Sequence, residues 1–214
     1  MALIKELTNA NKKILVIGAH PDDAEFSTGR LILRRKGRNI FVVCVTDGRK
    51  GQEANNRAIG EKEYAKLRVN ESRKALKRLC IHKENITFLM VPDQETVSYP
   101  CIIKALRRIL DRIKPDYVLI PPWEGAHPDH DTIHLFALTA AKKSGIKRKK
   151  TIEYASYNNY KGEFRVQEFV PMKGVQEERL IPALSEQSIW REVMGVFKSQ
   201  KSLQKDYLPR SSFE

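Results

Sequence analysis

The chain is short of the features that mark secreted, membrane-spanning and fibrous proteins. Its 214 residues contain three cysteines, Cys44, Cys80 and Cys101. An odd number at wide spacing excludes a disulfide framework and predicts reduced, inert thiols, two of them in apolar segments. No apolar run approaches the roughly 20 residues that a membrane-spanning helix needs. The opening residues 1–10 lack a basic-then-apolar signal pattern, so a cytoplasmic location is expected. There is no internal repeat and no low-complexity tract beyond the run Lys147-Arg148-Lys149-Lys150.

Acidic charge is also scarce. Asp and Glu number 26 against 39 Lys and Arg, giving a formal net charge of +13. Such an excess favours anionic partners, whether nucleic acid, acidic membrane or phosphorylated substrates. The basic run at 147–150 reads either as a solvated loop or as a docking surface for anions. It lacks the aromatic interleaving of a nucleic-acid surface, so no nucleic-acid partner is expected.

What the chain does have is alternation. Apolar runs at 13–18, 40–46, 86–91, 117–121 and 151–157 predict strands. Helical spacing over 27–36, 61–79, 102–113 and 131–143 predicts the helices between and after them. Repeated βα units argue for an α/β fold built on a doubly wound, mostly parallel sheet with helices on both faces. The length fits one domain over residues 1–214. The pattern loosens after about residue 158, where only 186–204 reads clearly as helix.

Two polar knots follow strands in this scheme. Ala19-His20-Pro21-Asp22-Asp23 comes directly after the first strand, and His127-Pro128-Asp129-His130 comes after the fourth. Both therefore fall at carboxyl ends of strands, the edge where open α/β sheets bind ligands. His20 and Asp23 stand three apart in a strand-to-helix turn, a spacing that can bring both side chains to one point. Adding His130 gives three ligands and an open fourth position, the arrangement of catalytic zinc sites. Asp22, projecting elsewhere, is left to act as general base on water at that position. His127 is left to face the substrate as acid or oxyanion stabiliser, with Asp129 orienting its ring and raising its pKa. The bland alternative has Asp22 or Asp23 capping the next helix, with His20 packed against the strand end. A rival metal pair is His130 with His134, four apart on a helix. That pair lacks a glutamate beside the first histidine and leaves His20 and Asp23 idle; otherwise His134 is a partly exposed helix residue.

Tyr64, Arg68, Glu71, Ala75 and Leu79 share one stripe of the 61–79 helix. Arg68 and Glu71 thus interrupt a core-facing side, as a structural ion pair or with Arg68 reaching a substrate. The turn Thr46-Asp47-Gly48-Arg49-Lys50-Gly51 follows the second strand at the same sheet edge. Gly18 with Gly29 makes no dinucleotide fingerprint.

Together these motifs resemble the LmbE-like, or PIG-L-type, N-deacetylase family. The likeness runs through Ala19-His20-Pro21-Asp22-Asp23-Ala24-Glu25, the Thr46-Asp47-Gly48…Gly51 turn, Arg68…Glu71 with Ala75 and Leu79, and His127-Pro128-Asp129-His130. It extends more faintly to Lys198-Ser199-Gln200. The resemblance implies a Rossmann-like fold and one zinc ion per chain held by His20, Asp23 and His130. It implies Asp22 as general base, His127 tuned by Asp129 as acid or oxyanion partner, and Arg68 as a substrate contact. Two departures stand out: Gly29 is followed by Arg30 in place of a second glycine, and residues 158–214 diverge on the substrate side. The expected activity is zinc-dependent removal of the N-acetyl group from an N-acetylglucosamine-type sugar or glycoconjugate. The basicity suggests that this substrate carries phosphate. Alternatives are an amidase acting on a non-sugar N-acyl compound and a non-catalytic nucleic-acid-binding module. Assembly into a homo-oligomer is left open.

Overall fold

In the computed structural model, which describes residues 2–52 and 58–208, the five apolar runs assemble into one sheet. β1 (Ile14–Gly18), β2 (Ile40–Thr46), β3 (Ile86–Val91), β4 (Tyr117–Ile120) and β5 (Thr151–Glu153) lie in the order β3-β2-β1-β4-β5. All four pairings are parallel. β1 and β4 are buried at every position, as strands covered on both faces must be.

Helices α1 (Ala2–Thr8), α2 (Asp23–Arg34), α3 (Glu61–Arg78), α4 (Cys101–Ile113) and α5 (Pro128–Lys143) surround the sheet, followed by α6 (Leu184–Met194) and α7 (Lys201–Tyr207). Strand alternation sorts the core into two layers. Ile14, Val16 and Leu119 join Phe26, Ile32, Leu76 and Trp190 under α2, α3 and α6. Leu15, Ile17, Val118 and Ile120 join Leu106, Leu110, Ile133 and Ala137 under α4 and α5. The chain winds outward from β1 through β2 to β3, then returns to the other side of β1 as β4. The strand order therefore reverses between β1 and β4, which puts a crevice at their carboxyl ends. No described helix is long and apolar enough to cross a membrane.

Several boundaries differ from the sequence reading. The strand expected over 151–157 stops at Glu153 because Tyr154 turns inward, its hydroxyl donating to the Ile17 carbonyl at 3.1 Å. Tyr157–Asn158 then forms β6, antiparallel to β7 (Arg165–Val166). The helix expected over 186–204 breaks after Met194, where Gly195 closes α6, and downstream the Ser199 N–H donates to Glu71 Oε1 at 3.1 Å. α5 starts three residues early, at Pro128, a first-turn position that needs no N–H donor. Only Cys44 is buried; Cys80, at the end of α3, and Cys101, at the start of α4, are exposed.

The departure at Arg30 has a local cause. Its guanidinium lies 4.0 Å from the centroid of the Trp190 ring and donates to Gln167 Oε1 at 2.6 Å. The same Trp190 donates from Nε1 to the Glu25 carbonyl at 3.0 Å and sits directly over Gly29. A Cβ at position 29 would meet the ring at 2.8 Å. Gly29→Ala should therefore destabilise the fold by about 1–3 kcal/mol through overpacking, although Ala at an open helical site usually gains roughly 1 kcal/mol over Gly. Urea unfolding followed by circular dichroism checks the sign; a stabilised variant would contradict this packing.

Candidate metal centre

The site is built from the turn that leaves β1. Asp23 opens α2, and its Oδ2 accepts the N–H groups of Ala19 at 2.7 Å and His20 at 2.9 Å. That lock ties one carboxylate oxygen to the end of the strand and leaves Oδ1 facing inward. It also disposes of the capping alternative, because neither Asp22 nor Asp23 bonds the first-turn N–H groups of α2. From the far side of the crevice α5 brings in His130, whose Nε2 lies 3.3 Å from Asp23 Oδ1 and 3.2 Å from His20 Nδ1. His20 Nδ1 stands 3.8 Å from Asp23 Oδ2.

These separations can be tested against a metal. Tetrahedral ligands about 2.0–2.1 Å from zinc stand roughly 3.3–3.4 Å from one another. The two imidazole nitrogens and the carboxylate therefore fit the edges of such a polyhedron with little adjustment, and their chemistry suits zinc. Burial alone would lift the Asp23 carboxyl, but His130 and His20 outweigh it and hold the group far below the ordinary carboxylate range.

The other nitrogen of His20 is oriented by carboxylates. Nε2 lies 3.2 Å from Asp129 Oδ2 and 3.2 Å from Asp93 Oδ1. Burial would lower the His20 pKa, yet the Asp129 and Asp93 carboxylates beside Nε2 raise it well above its ordinary value. Asp129 is itself held by the Thr96 hydroxyl at 2.6 Å and the Gln94 N–H at 2.8 Å. A carboxylate on the outer nitrogen fixes which nitrogen of a ligating histidine is free for metal.

This corrects the expected partnership of Asp129 with His127. The Asp129 carboxylate binds His20, and what reaches His127 is the Asp129 backbone N–H, donated to Nδ1 at 3.2 Å. Burial, with His20 and His130 nearby, pulls the His127 pKa down to about 4; Asp129 pushes it upward, as expected, but is outweighed. The ring is therefore neutral at pH 7, with Nδ1 accepting and its proton on Nε2.

Asp22 joins neither group of converging ligand atoms and accepts from Arg68 Nη2 at 2.8 Å, both side chains being buried. Burial pushes the Asp22 carboxyl up, and Arg68 opposes the shift. Arg68 and Glu71 do not pair with each other: Glu71 is bound by the Ser199 N–H and hydroxyl. The 46–51 turn passes beneath Arg68. Gly48 has φ +67 there, and a Cβ on it would meet the Pro21 ring at 2.8 Å. Gln200 closes the same corner, donating to the Gly51 carbonyl at 2.8 Å and the Tyr64 hydroxyl at 2.7 Å.

Around these groups lies a cavity of about 160 Å³ lined by His20, Asp22, Asp23, Arg68, Asp93 and His127, with Tyr157, and with Gln200 and Tyr207 from the divergent part of the chain. Lys50 is the other cation on its wall; none of residues 147–150 lines it. Lys150 instead donates to the Tyr117 hydroxyl at 2.8 Å. His134 is buried, not partly exposed, with Nδ1 3.0 Å from the Pro121 carbonyl, and it joins no metal-holding group. Sequence reasoning missed Asp93 and Tyr157. Asp93 follows β3 directly, so it sits at the same sheet edge as both knots; Tyr157 carried no signal beyond its residue type.

The chain is similar to known proteins over most of its length. The profile of the PIG-L family, GlcNAc-PI de-N-acetylase, matches residues 15–141. Diacetylchitobiose deacetylase of Thermococcus kodakarensis is 29% identical over 149 residues, covering 67% of this chain and 54% of that protein. The chain thus spans about half the length of that relative. Probable N-acetyl-alpha-D-glucosaminyl L-malate deacetylase 2 of Bacillus anthracis is 26% identical over 175 residues, covering 76% of this chain and 77% of its own. A deacetylase of the teicoplanin biosynthetic pathway, solved as a triple mutant, superposes with a TM-score of 0.68 at 20% identity, over 89% of this chain and 84% of the other. The shared fold therefore extends well beyond residue 141.

The Asp22–Arg68 pair yields a stability prediction. Arg68→Met leaves a buried carboxylate without its cation and should cost about 3–5 kcal/mol in denaturant unfolding of the chelator-treated protein. Adding Asp22→Asn should recover most of that loss, and a double variant no more stable than Arg68→Met would show the two groups uncoupled.

Proposed function

The chain belongs to the PIG-L family, and from that premise we propose that it is a zinc-dependent hydrolase. It removes the N-acetyl group from an N-acetylglucosamine-type sugar or glycoconjugate. One observation carries this reading: His20 Nδ1, His130 Nε2 and Asp23 converge at the point where the strand order reverses, and His20, Asp23 and Asp22 line the cavity there. Zinc held by those three side chains would supply Lewis acidity and lower the pKa of water toward about 7.

The remaining chemistry falls to residues of the chain. Asp22 takes a proton from the attacking water as its oxygen bonds to the amide carbon, and Arg68 holds the carboxylate in position for that transfer. His127, neutral and with its proton on Nε2, donates a hydrogen bond to the carbonyl oxygen as negative charge develops there. The proton on Asp22 then passes to the amide nitrogen, the C–N bond breaks, and acetic acid and the free amine leave, the acid's proton ending on the amine or in solvent. Asp129 acts through His20 as a positioning residue. A cavity of about 160 Å³ is smaller than the roughly 300 Å³ at which ligand pockets begin, so it takes the acetamido end and leaves the rest of the sugar at the mouth. Lys50, exposed and paired with Glu61, is the cation that a phosphate on the substrate would meet there, since Arg68 is buried against Asp22.

The test combines metal content with amine release. Purified protein should hold near-stoichiometric zinc by elemental analysis, and Asp23→Ala and His130→Ala should lose it. Asp22→Asn should keep the metal while amine release from diacetylated chitobiose and related N-acetylated sugars falls about 10²–10⁴-fold. Full activity in Asp22→Asn, or activity that survives complete removal of metal, would rule this mechanism out.

A further inference from the structure

The crowding around His20 Nε2 has more acceptors than donors. Asp129 Oδ2 and Asp93 Oδ1 each lie 3.2 Å from that nitrogen, and a ring nitrogen carries at most one proton. The hydrogen bond goes to Asp129, while Asp93 Oδ1 is buried and receives none. His127 faces the same point. Its ring stands edge-on to His20 with centroids 4.5 Å apart, and ligand atoms of His20, Asp93, His127 and Asp129 all come within 4.8 Å of one another. With Nδ1 of His127 occupied by the Asp129 N–H, the nitrogen it can offer is Nε2.

Charge points the same way. Asp22, Asp23, Asp93 and Asp129 are all buried, and Arg68 is the one buried guanidinium lining their cavity. Buried charges are paired or hold metals. A single divalent ion among His20, Asp23 and His130 leaves one negative charge among these buried groups, with Lys50, exposed and paired with Glu61, the remaining cation on the wall.

We propose that His20 Nε2, Asp93, His127 Nε2 and Asp129 form a second, weaker site for a borderline divalent cation of the zinc type, bridged to the first through the His20 ring. Two imidazole nitrogens and two carboxylate oxygens suit such an ion. Its entry displaces the proton of His20 Nε2 to solvent. It also takes the nitrogen with which His127 meets the carbonyl oxygen, so excess cation inhibits. The proposal rests on the first-site reading above, in which His20 binds through Nδ1.

Zinc binding to the metal-free full chain, followed by equilibrium dialysis with elemental analysis, tests it. The wild type should bind in two steps, one zinc per chain in each, with amine release falling over the second. Asp93→Asn and His127→Asn should each keep the first step and weaken the second roughly 10-fold or more. His127→Asn serves as the independent variant should Asp93→Asn fold poorly by circular dichroism. A wild type that stops at one zinc overturns the second site and leaves the hydrolase reading standing. Variants that bind the second zinc as tightly as the wild type overturn it too, because that ion then sits on adventitious surface ligands only. Loss of the first step in the wild type would overturn the hydrolase reading, and this proposal with it.

Discussion

One carboxylate fixes the geometry on which the site depends. The chain leaves β1 with no spare residue, and Asp23 folds back to take the N–H groups of Ala19 and His20. Those two donors would otherwise be orphaned at the strand end. Satisfying them sets the direction of the other Asp23 oxygen and the position of His20 in the same stroke. β4 and the proline-initiated start of α5 then need only deliver His130 from across the strand reversal. Because β1 and β4 are fully buried and pair directly, the two halves of the centre are carried by the most completely buried strands of the sheet.

A second layer keeps these groups in place. Asp129, gripped by Thr96 and Gln94 from the segment between β3 and α4, presses on His20 from behind. Arg68 plays the equivalent part for Asp22, and the Tyr64–Gly51–Gln200 corner supports the turn beneath Arg68. In contrast, Leu203 and Tyr207 on the cavity wall come from the part of the chain after residue 158, where the sequence pattern loosens. The chemistry and the shape of the mouth are thus assigned to different regions of the polypeptide.

That division explains what could be read from residues alone. Strands buried on both faces announce themselves as unbroken apolar runs, so the parallel sheet and the placement of both knots at its carboxyl edge were legible. Long-range pairings were not. Asp129 lies two residues from His127, which made them natural partners on paper, but the first turn of α5 aims the carboxylate at His20 instead. Arg68 and Glu71 share a stripe of α3, yet each is claimed by a distant segment, Asp22 for one and Ser199 for the other. Asp93 went unnoticed because a lone aspartate after a strand carries no periodicity, only position.

The central claim is that two imidazoles and one carboxylate, from opposite sides of the β1–β4 reversal, share a single zinc ion. Anomalous diffraction at the zinc edge from crystals grown at stoichiometric zinc addresses it most directly. The account predicts one strong peak about 2.0–2.1 Å from His20 Nδ1 and His130 Nε2, with Asp23 as third ligand. A peak bound by His134, or none within bonding distance of Asp23, would contradict it.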